Sequence, residues 1–394
     1  MTRRQKRQLA AALAFVTAGV IVIVVVVGGG PDERPPAPGE GGGVSEIDGG
    51  GIAPAGGQTD DGGQVPDGGQ ASITRPKENG EVVPDGGATT EPVPQRAAEV
   101  PKPNPDIAKA QAKALLGKGL EMSQAGALVE ARTALSEAIF SGKLDPVDAQ
   151  LARAEAWSLA RKTIFSSRVY PGDMYAFVHK FEAGDTLEGS RGLIKRLDLR
   201  VTGALLERIN NVSPQRPFMA GKPYKLLKGP FHAIVHKSEY VMDLYLQREE
   251  NGRRLPKTFI RRLAVGLGRN GTTPLGSWIA YDKAGGKGTR APYNDPQTGK
   301  IIHYGEPDYP FGEKGLWIRL HGIDENTRMY TDRGIHSTDE PESIGKAGSA
   351  GCIRLADGKT PEAWLDGIDL VFRALFAVSK PESRHKASTV WIRP

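Results

Sequence analysis

Between Gly28 and about Pro105 the chain has almost no large apolar side chain, so nothing there can build a core. Glycine, proline and acidic residues dominate, and the pentapeptide VPDGG occurs at 65–69 and again at 83–87. Such a segment buries too little surface to offset the entropy lost on ordering. It is expected as a flexible tether with a root-mean-square span of roughly 45–50 Å. Any fold must therefore be built from residues 106–394, with the apolar run ahead of the tether considered separately.

That run, LAAALAFVTAGVIVIVVVV at 9–27, has neither charge nor proline, and Arg3, Arg4, Lys6 and Arg7 precede it. As a helix it would span roughly 28 Å, against about 30 Å for a bilayer core. Both a signal anchor and a cleaved signal peptide begin this way. The length of the run and the absence of an A-x-A site before Gly28–Gly30 favour an uncleaved anchor. The basic residues then put the N-terminus in the cytoplasm and the rest of the chain outside. Net charge is +6 although the tether is acidic, so the folded part is more basic than the total implies. That suits an anionic polymer outside the cell; nucleic acid is not expected as a partner.

Residues 106–170 read as helices. Three Ala- and Leu-rich segments have helical spacing, and Asp145–Pro146 forms an N-cap followed by proline at the first helical position. A small spacer bundle, faintly like tetratricopeptide repeats, and a surface for a protein partner are both open. Residues 175–227 change texture. The expected order is a strand, a Gly184–Asp185–Thr186–Leu187 turn opening a helix at Asp185, a second helix ending at Asn210, and a strand after Gly221. This stretch resembles a LysM domain, a β-α-α-β module that binds N-acetylglucosamine-containing glycans. The resemblance implies Asp185, Thr186 and Asn210 as glycan-binding candidates.

From 228 onward, alternating apolar and polar residues, Gly-rich turns and an Asn270–Gly271 hairpin signal predict a mostly-β sandwich or barrel. Cys352, the one cysteine in the chain, lies in this region, so no intramolecular disulfide can support the fold. An inert buried thiol is one reading. The neighbours favour another, because His336 lies sixteen positions upstream and Ser349–Ala350–Gly351 are small enough to turn backbone N–H groups toward a developing oxyanion.

Read together, His336, Ser337, Ser349, Gly351, Cys352, Ile353 and Arg354 resemble the signature of the YkuD-type L,D-transpeptidase catalytic domain. Gly266, Gly268, Thr273, Pro274 and Gly276 match that family's upstream strand pair, and the resemblance covers roughly 230–394. Ala350 stands where many members have histidine, and Ser337 where many have glycine. The resemblance implies a β-sandwich in which His336 takes the proton of Cys352. The thiolate then attacks the third-residue carbonyl of a peptidoglycan tetrapeptide and expels D-alanine. An amine or water resolves the thioester; water would make the protein a carboxypeptidase, and a dead, purely peptidoglycan-binding domain is the third reading. The N–H groups of Gly351 and Cys352 would form the oxyanion hole. Ser337 could orient the imidazole, and Arg354 could hold the loop or face a substrate carboxylate. Ser349, Ala350 and Trp278 are candidate substrate contacts, although Trp278, like Tyr293 and Tyr309, also reads as a core or rim aromatic. His321, His232 and His236 lack the companions a metal needs, and no metal or organic cofactor is implied.

Overall fold

The computed structural model describes residues 105–286, 288–295, 298–358 and 363–394, all within one compact unit, Pro94–Pro394. The expected membrane anchor and tether lie outside the described residues. Among the described residues no helix is long and apolar enough to cross a membrane.

Three helices come first: α1 (Pro105–Gln124), α2 (Leu128–Phe140) and α3 (Pro146–Thr163). Asp145 caps α3 as expected, its carboxylate accepting from the Asp148 N–H at 2.9 Å with Pro146 in the first turn. A buried ion pair, Arg132 to Asp173 at 3.0 Å, ties α2 to the segment leaving α3, and Thr163 Oγ1 takes a second guanidinium hydrogen bond at 2.7 Å. Next, β1 (Ala176–Lys180) pairs antiparallel with β2 (Pro223–Leu227), and the short helices α4 (Leu193–Arg196) and α5 (Gly203–Ile209) lie between them. The β-α-α-β order is as expected, but no helix opens at Asp185. Gly189, with φ +94°, and Gly192, packed onto the Glu188 carbonyl, hold 186–192 in an irregular turn. Helix begins only at Leu193.

The C-terminal domain is built on one continuous ladder of eight strands in the order β15-β13-β12-β9-β16-β3-β4-β7. These are β3 (Phe231–His236), β4 (Val241–Leu246), β7 (Thr258–Ala264), β9 (Gly276–Ala284), β12 (Trp317–Gly322), β13 (Gly334–Ser337), β15 (Ile353–Leu355) and β16 (Thr389–Arg393). Neighbours are antiparallel except β13–β15 and β3–β16. The expected sandwich therefore takes the form of a single mixed sheet. One apolar cluster holds residues from both ends of the ladder, Val235 and Leu244 with Ile318, Ile335 and Ile353. Small pairs decorate it: β5 (Glu249–Glu250) with β6 (Arg253–Arg254), β10 (Tyr293–Asn294) with β11 (Ile301–Ile302), and β8 (Leu267–Gly268) with β14 (Ala347–Ser349). Helix α6 (Gly367–Ala374) covers the core side of β13.

The helical region packs directly on this sheet. Phe140 meets Tyr245 and Phe259 edge-on at 5.6 and 6.2 Å, and Ser136 Oγ accepts the Phe259 N–H at 2.9 Å. The helices thereby shield β7, an edge strand whose backbone groups would otherwise be open to pairing. The β-α-α-β module shares the main apolar cluster as well, through Leu193, Leu199, Leu205 and Leu226 beside Phe231.

Candidate active site

The parallel β13–β15 pair brings the thiol and the imidazole together. Its register is Ile335 to Ile353 and His336 to Arg354, which places Cys352 one residue before the first rung. Residues two apart share a face, so Cys352, just ahead of β15, lies on the side of the pair that carries His336. The opposite face carries Ile335, Ile353 and Leu355, all buried in the core.

His336 is held on three sides. Nδ1 faces the Ser337 main-chain carbonyl at 2.5 Å, the Trp317 ring stacks on the imidazole at 5.6 Å, and Phe311 tilts against it at 4.9 Å. With Nδ1–H donating to that carbonyl, Nε2 carries the lone pair. Burial lowers the imidazole pKa to about 4, against the opposing pull of the Ser337 carbonyl. Burial also pushes the Cys352 thiol up to about 11, although a backbone N–H from Gly334 and the charges of Arg333 and Arg354 oppose it. At neutral pH both groups are uncharged. Sγ donates to the Asp332 carbonyl oxygen at 3.7 Å rather than to the imidazole. Resting enzymes often show such loose geometry, which tightens when substrate arrives.

Ser337 acts through its backbone. Its hydroxyl donates to the Phe311 carbonyl oxygen and accepts from the Leu316 N–H at 3.2 Å, so it holds the Phe311 segment and does not touch the imidazole. Ser349 Oγ accepts the Gly351 N–H at 3.0 Å and donates to the Cys352 carbonyl at 2.7 Å, closing the turn that carries the thiol. Of the two expected oxyanion donors, Gly351 N–H is thus engaged by Ser349, and Cys352 N–H is the one not bound to that serine. Ala350 is exposed at the tip of the turn. Arg354 binds Glu340 across the 338–346 loop, and its backbone exchanges two hydrogen bonds with Gly266, at 2.8 and 2.9 Å. Gly268 lies so close to Thr272, Thr273 and Gly351 that a side chain there would strike all three. The two sequence motifs are therefore one interlocked structure.

Trp278 is a correction: its side chain is fully buried in the main core, inaccessible to a substrate, because its β9 position points away from solvent. Tyr309 is likewise buried, its hydroxyl donating to the Ala291 carbonyl at 2.7 Å, while Tyr293 packs edge-on against Phe311 at 5.4 Å. In the β-α-α-β module, Asp185 accepts from Glu182 N–H (2.9 Å) and Arg196 (2.7 Å), which with His179 hold its carboxyl below the ordinary range. Asn210 spends its amide on the Leu206 and Lys225 carbonyls and the Lys225 N–H, all within 2.9 Å. Thr186 is exposed, its hydroxyl donating to the Glu188 carbonyl at 3.1 Å. A cleft of about 1290 Å³ separates this module from the C-terminal domain, lined among others by Arg208, Phe218, Lys283 and Arg373. Lys283 pairs with Ile318, whereas Ala284 pairs with Trp317, so the cleft opens behind the sheet relative to Cys352. Among the described residues no group of three His, Cys, Asp or Glu side chains is placed to hold a metal ion.

This thiol–imidazole arrangement, with its two glycine-rich motifs, coincides with a known domain. Residues 230–366 match the YkuD family, the L,D-transpeptidase catalytic domain. A Bacillus subtilis (strain 168) protein named "Putative L,D-transpeptidase YqjB" is 43% identical over 56 residues, 14% of this chain and 29% of that protein. Two solved structures are also similar. One is a fused Zn-dependent amidase/peptidase/peptidoglycan-binding domain-containing protein from Clostridium acetobutylicum ATCC 824, at 16% identity, with a TM-score of 0.23 over 41% of this chain and 51% of that one. The other is Bdellovibrio bacteriovorus Bd1075, at 12% identity, with a TM-score of 0.24 over 42% and 48%. At these scores neither carries weight. The matched segment contains Cys352, His336 and the glycines that carry the sequence resemblance. Phe311 and Trp317, which pack on His336, and Arg333, which packs on Gly351, are not evident from the sequence, because their contacts depend on the tertiary fold.

Proposed function

We propose that this protein is a peptidoglycan L,D-transpeptidase. The observation that carries the reading is the pairing, on one face of β13–β15, of a thiol with an imidazole whose Nδ1 is fixed by a carbonyl and whose Nε2 is left as a base. On binding a tetrapeptide donor, His336 Nε2 takes the Cys352 proton as Sγ attacks the carbonyl of the third residue. The same nitrogen then returns the proton to the departing D-alanine amine, leaving a thioester. An acceptor side-chain amine attacks the thioester and regenerates the thiol, forming the cross-link. In this reading the Cys352 N–H holds the oxyanion, and Arg354 braces the 338–346 loop. The β-α-α-β segment serves as a LysM-like glycan-binding module, raising the local concentration of stems. Residues 9–27 anchor the chain in the membrane, with the catalytic part outside the cytoplasm.

Intact-mass spectrometry tests this with the full-length protein and a disaccharide-tetrapeptide ending in D-alanine. A stem adduct on wild type but not on Cys352→Ala, with D-alanine released, supports thioester chemistry; a second stem then distinguishes cross-linking from hydrolysis. Folded wild type that gives neither adduct nor D-alanine sinks the reading.

A further inference from the structure

Cys352 lies near two guanidinium groups, each with an Nε that has no hydrogen-bond partner and an ion pair to a half-exposed carboxylate; only Arg333 is packed against the glycine that precedes the thiol. Arg354, on the His336 side, is engaged by Glu340. Arg333 precedes β13 and folds back over the thiol-bearing turn. Its side chain is only 15% exposed, yet Nε has no hydrogen-bond partner, and its ion pair is with the neighbouring Asp332, Nη1 to Oδ2 at 2.5 Å. Tyr330 supports the guanidinium from below at 5.0 Å. A Cβ on Gly351 would fall 2.6 Å from Arg333 Nε and 2.8 Å from Cζ, and Gly351 itself has φ +136°. Glycine at 351 thus makes room for a cation one residue from the nucleophile.

A largely desolvated cation with an unused donor, held against the reacting group, is suited to a planar anion. We propose that Arg333 is a substrate-binding residue that receives a carboxylate lying next to the attacked carbonyl. This rests on the transpeptidase reading for its substrate, since a stem supplies the C-terminal carboxylate of the departing residue and, where the third residue is a diamino dicarboxylic acid, a second carboxylate at the end of that residue's side chain. Arg333 makes the site selective for the acid form of at least one of them.

The first test does not depend on stem chemistry. Full-length wild type, Arg333→Gln and Arg333→Lys are alkylated with iodoacetate and with iodoacetamide, reagents of like size that differ in charge. The iodoacetate-to-iodoacetamide rate ratio at Cys352 is expected to fall about fivefold or more in Arg333→Gln and to be largely kept in Arg333→Lys. A ratio unchanged in Arg333→Gln overturns the proposal. The second test compares kcat/KM for the tetrapeptide acid, its C-terminal carboxamide and the analogue amidated on the third side chain. Wild type should prefer the acid over one carboxamide, and Arg333→Gln should lose that preference; which carboxamide shows it identifies the source. Equal losses on all three donors in Arg333→Gln mean a structural role and overturn the proposal. Should wild type turn over no stem while the alkylation ratio still responds to Arg333, the transpeptidase reading fails and the anion subsite stands.

Discussion

Seven pH units separate the thiol and the imidazole, with His336 near 4 and Cys352 near 11, which sets how the pair can work. A preformed thiolate–imidazolium pair would need the opposite order, so in the proposed reaction His336 takes the proton during attack rather than before it. For the free protein, kcat/KM should therefore hold from neutral pH down to about 5 and fall as His336 protonates near 4, whereas an ordinary histidine would titrate near 6.5. A pH–rate profile with its acid limb near 6.5 contradicts this. Iodoacetamide labelling of Cys352 should likewise keep rising with pH beyond the ordinary cysteine range of about 8.5, without a plateau at neutral pH. Much of this was legible from sequence, since one cysteine, one histidine at family spacing and the small residues before the thiol name the nucleophile and base. The imidazole's supports were not. Trp317 reaches His336 only through the β12–β13 register, and the Ser337 carbonyl is a main-chain group that residue type does not reveal.

Two elements owe their placement to contacts far apart in the chain. The helical spacing of 106–165 predicts α1 to α3 closely, but nothing in their composition says that they cover β7 and the outer face of β4. Ser136 is the informative residue, 123 positions from the Phe259 N–H it accepts. Ser136→Ala should leave that buried donor unpaired and cost about 1–3 kcal/mol, measured by denaturant unfolding; a loss under about 0.3 kcal/mol would show that the helices do not secure the edge. Similarly, the alternation in β9 identifies a strand but does not say that Trp278 faces the core, because register decides which face is which. At Asp185 the departure from the expected helix start has a local cause. A carboxylate before Thr186 and Leu187 reads as a helix start, yet it accepts instead from Glu182 N–H and Arg196, and the glycines at 189 and 192 delay the helix.

At the scale of the whole molecule, buried His336 and partly buried His232 couple stability to pH. His232 Nδ1 accepts from the Thr389 N–H at 3.0 Å and Nε2 lies 3.1 Å from the Gln247 carbonyl, with burial lowering its pKa to about 4, as for His336. Unfolded, each would titrate near 6.5. Between about 6.5 and 4 the unfolded chain binds more protons than the native one, so stability is complete above that window and falls as pH drops through it, by roughly 3 kcal/mol for each histidine. Asp357 acts in the other sense. Burial raises its carboxyl to about 6, so it contributes stability as pH falls from 6 toward 4 and offsets part of the loss. Urea unfolding followed from pH 7.5 to 4.5 should therefore show a net fall, smaller in His232→Gln, whose neutral amide cannot take up the proton. A wild-type profile that stays flat across this window would mean that the two imidazoles titrate in the folded state as they do in the unfolded chain, contrary to their lowered pKa values.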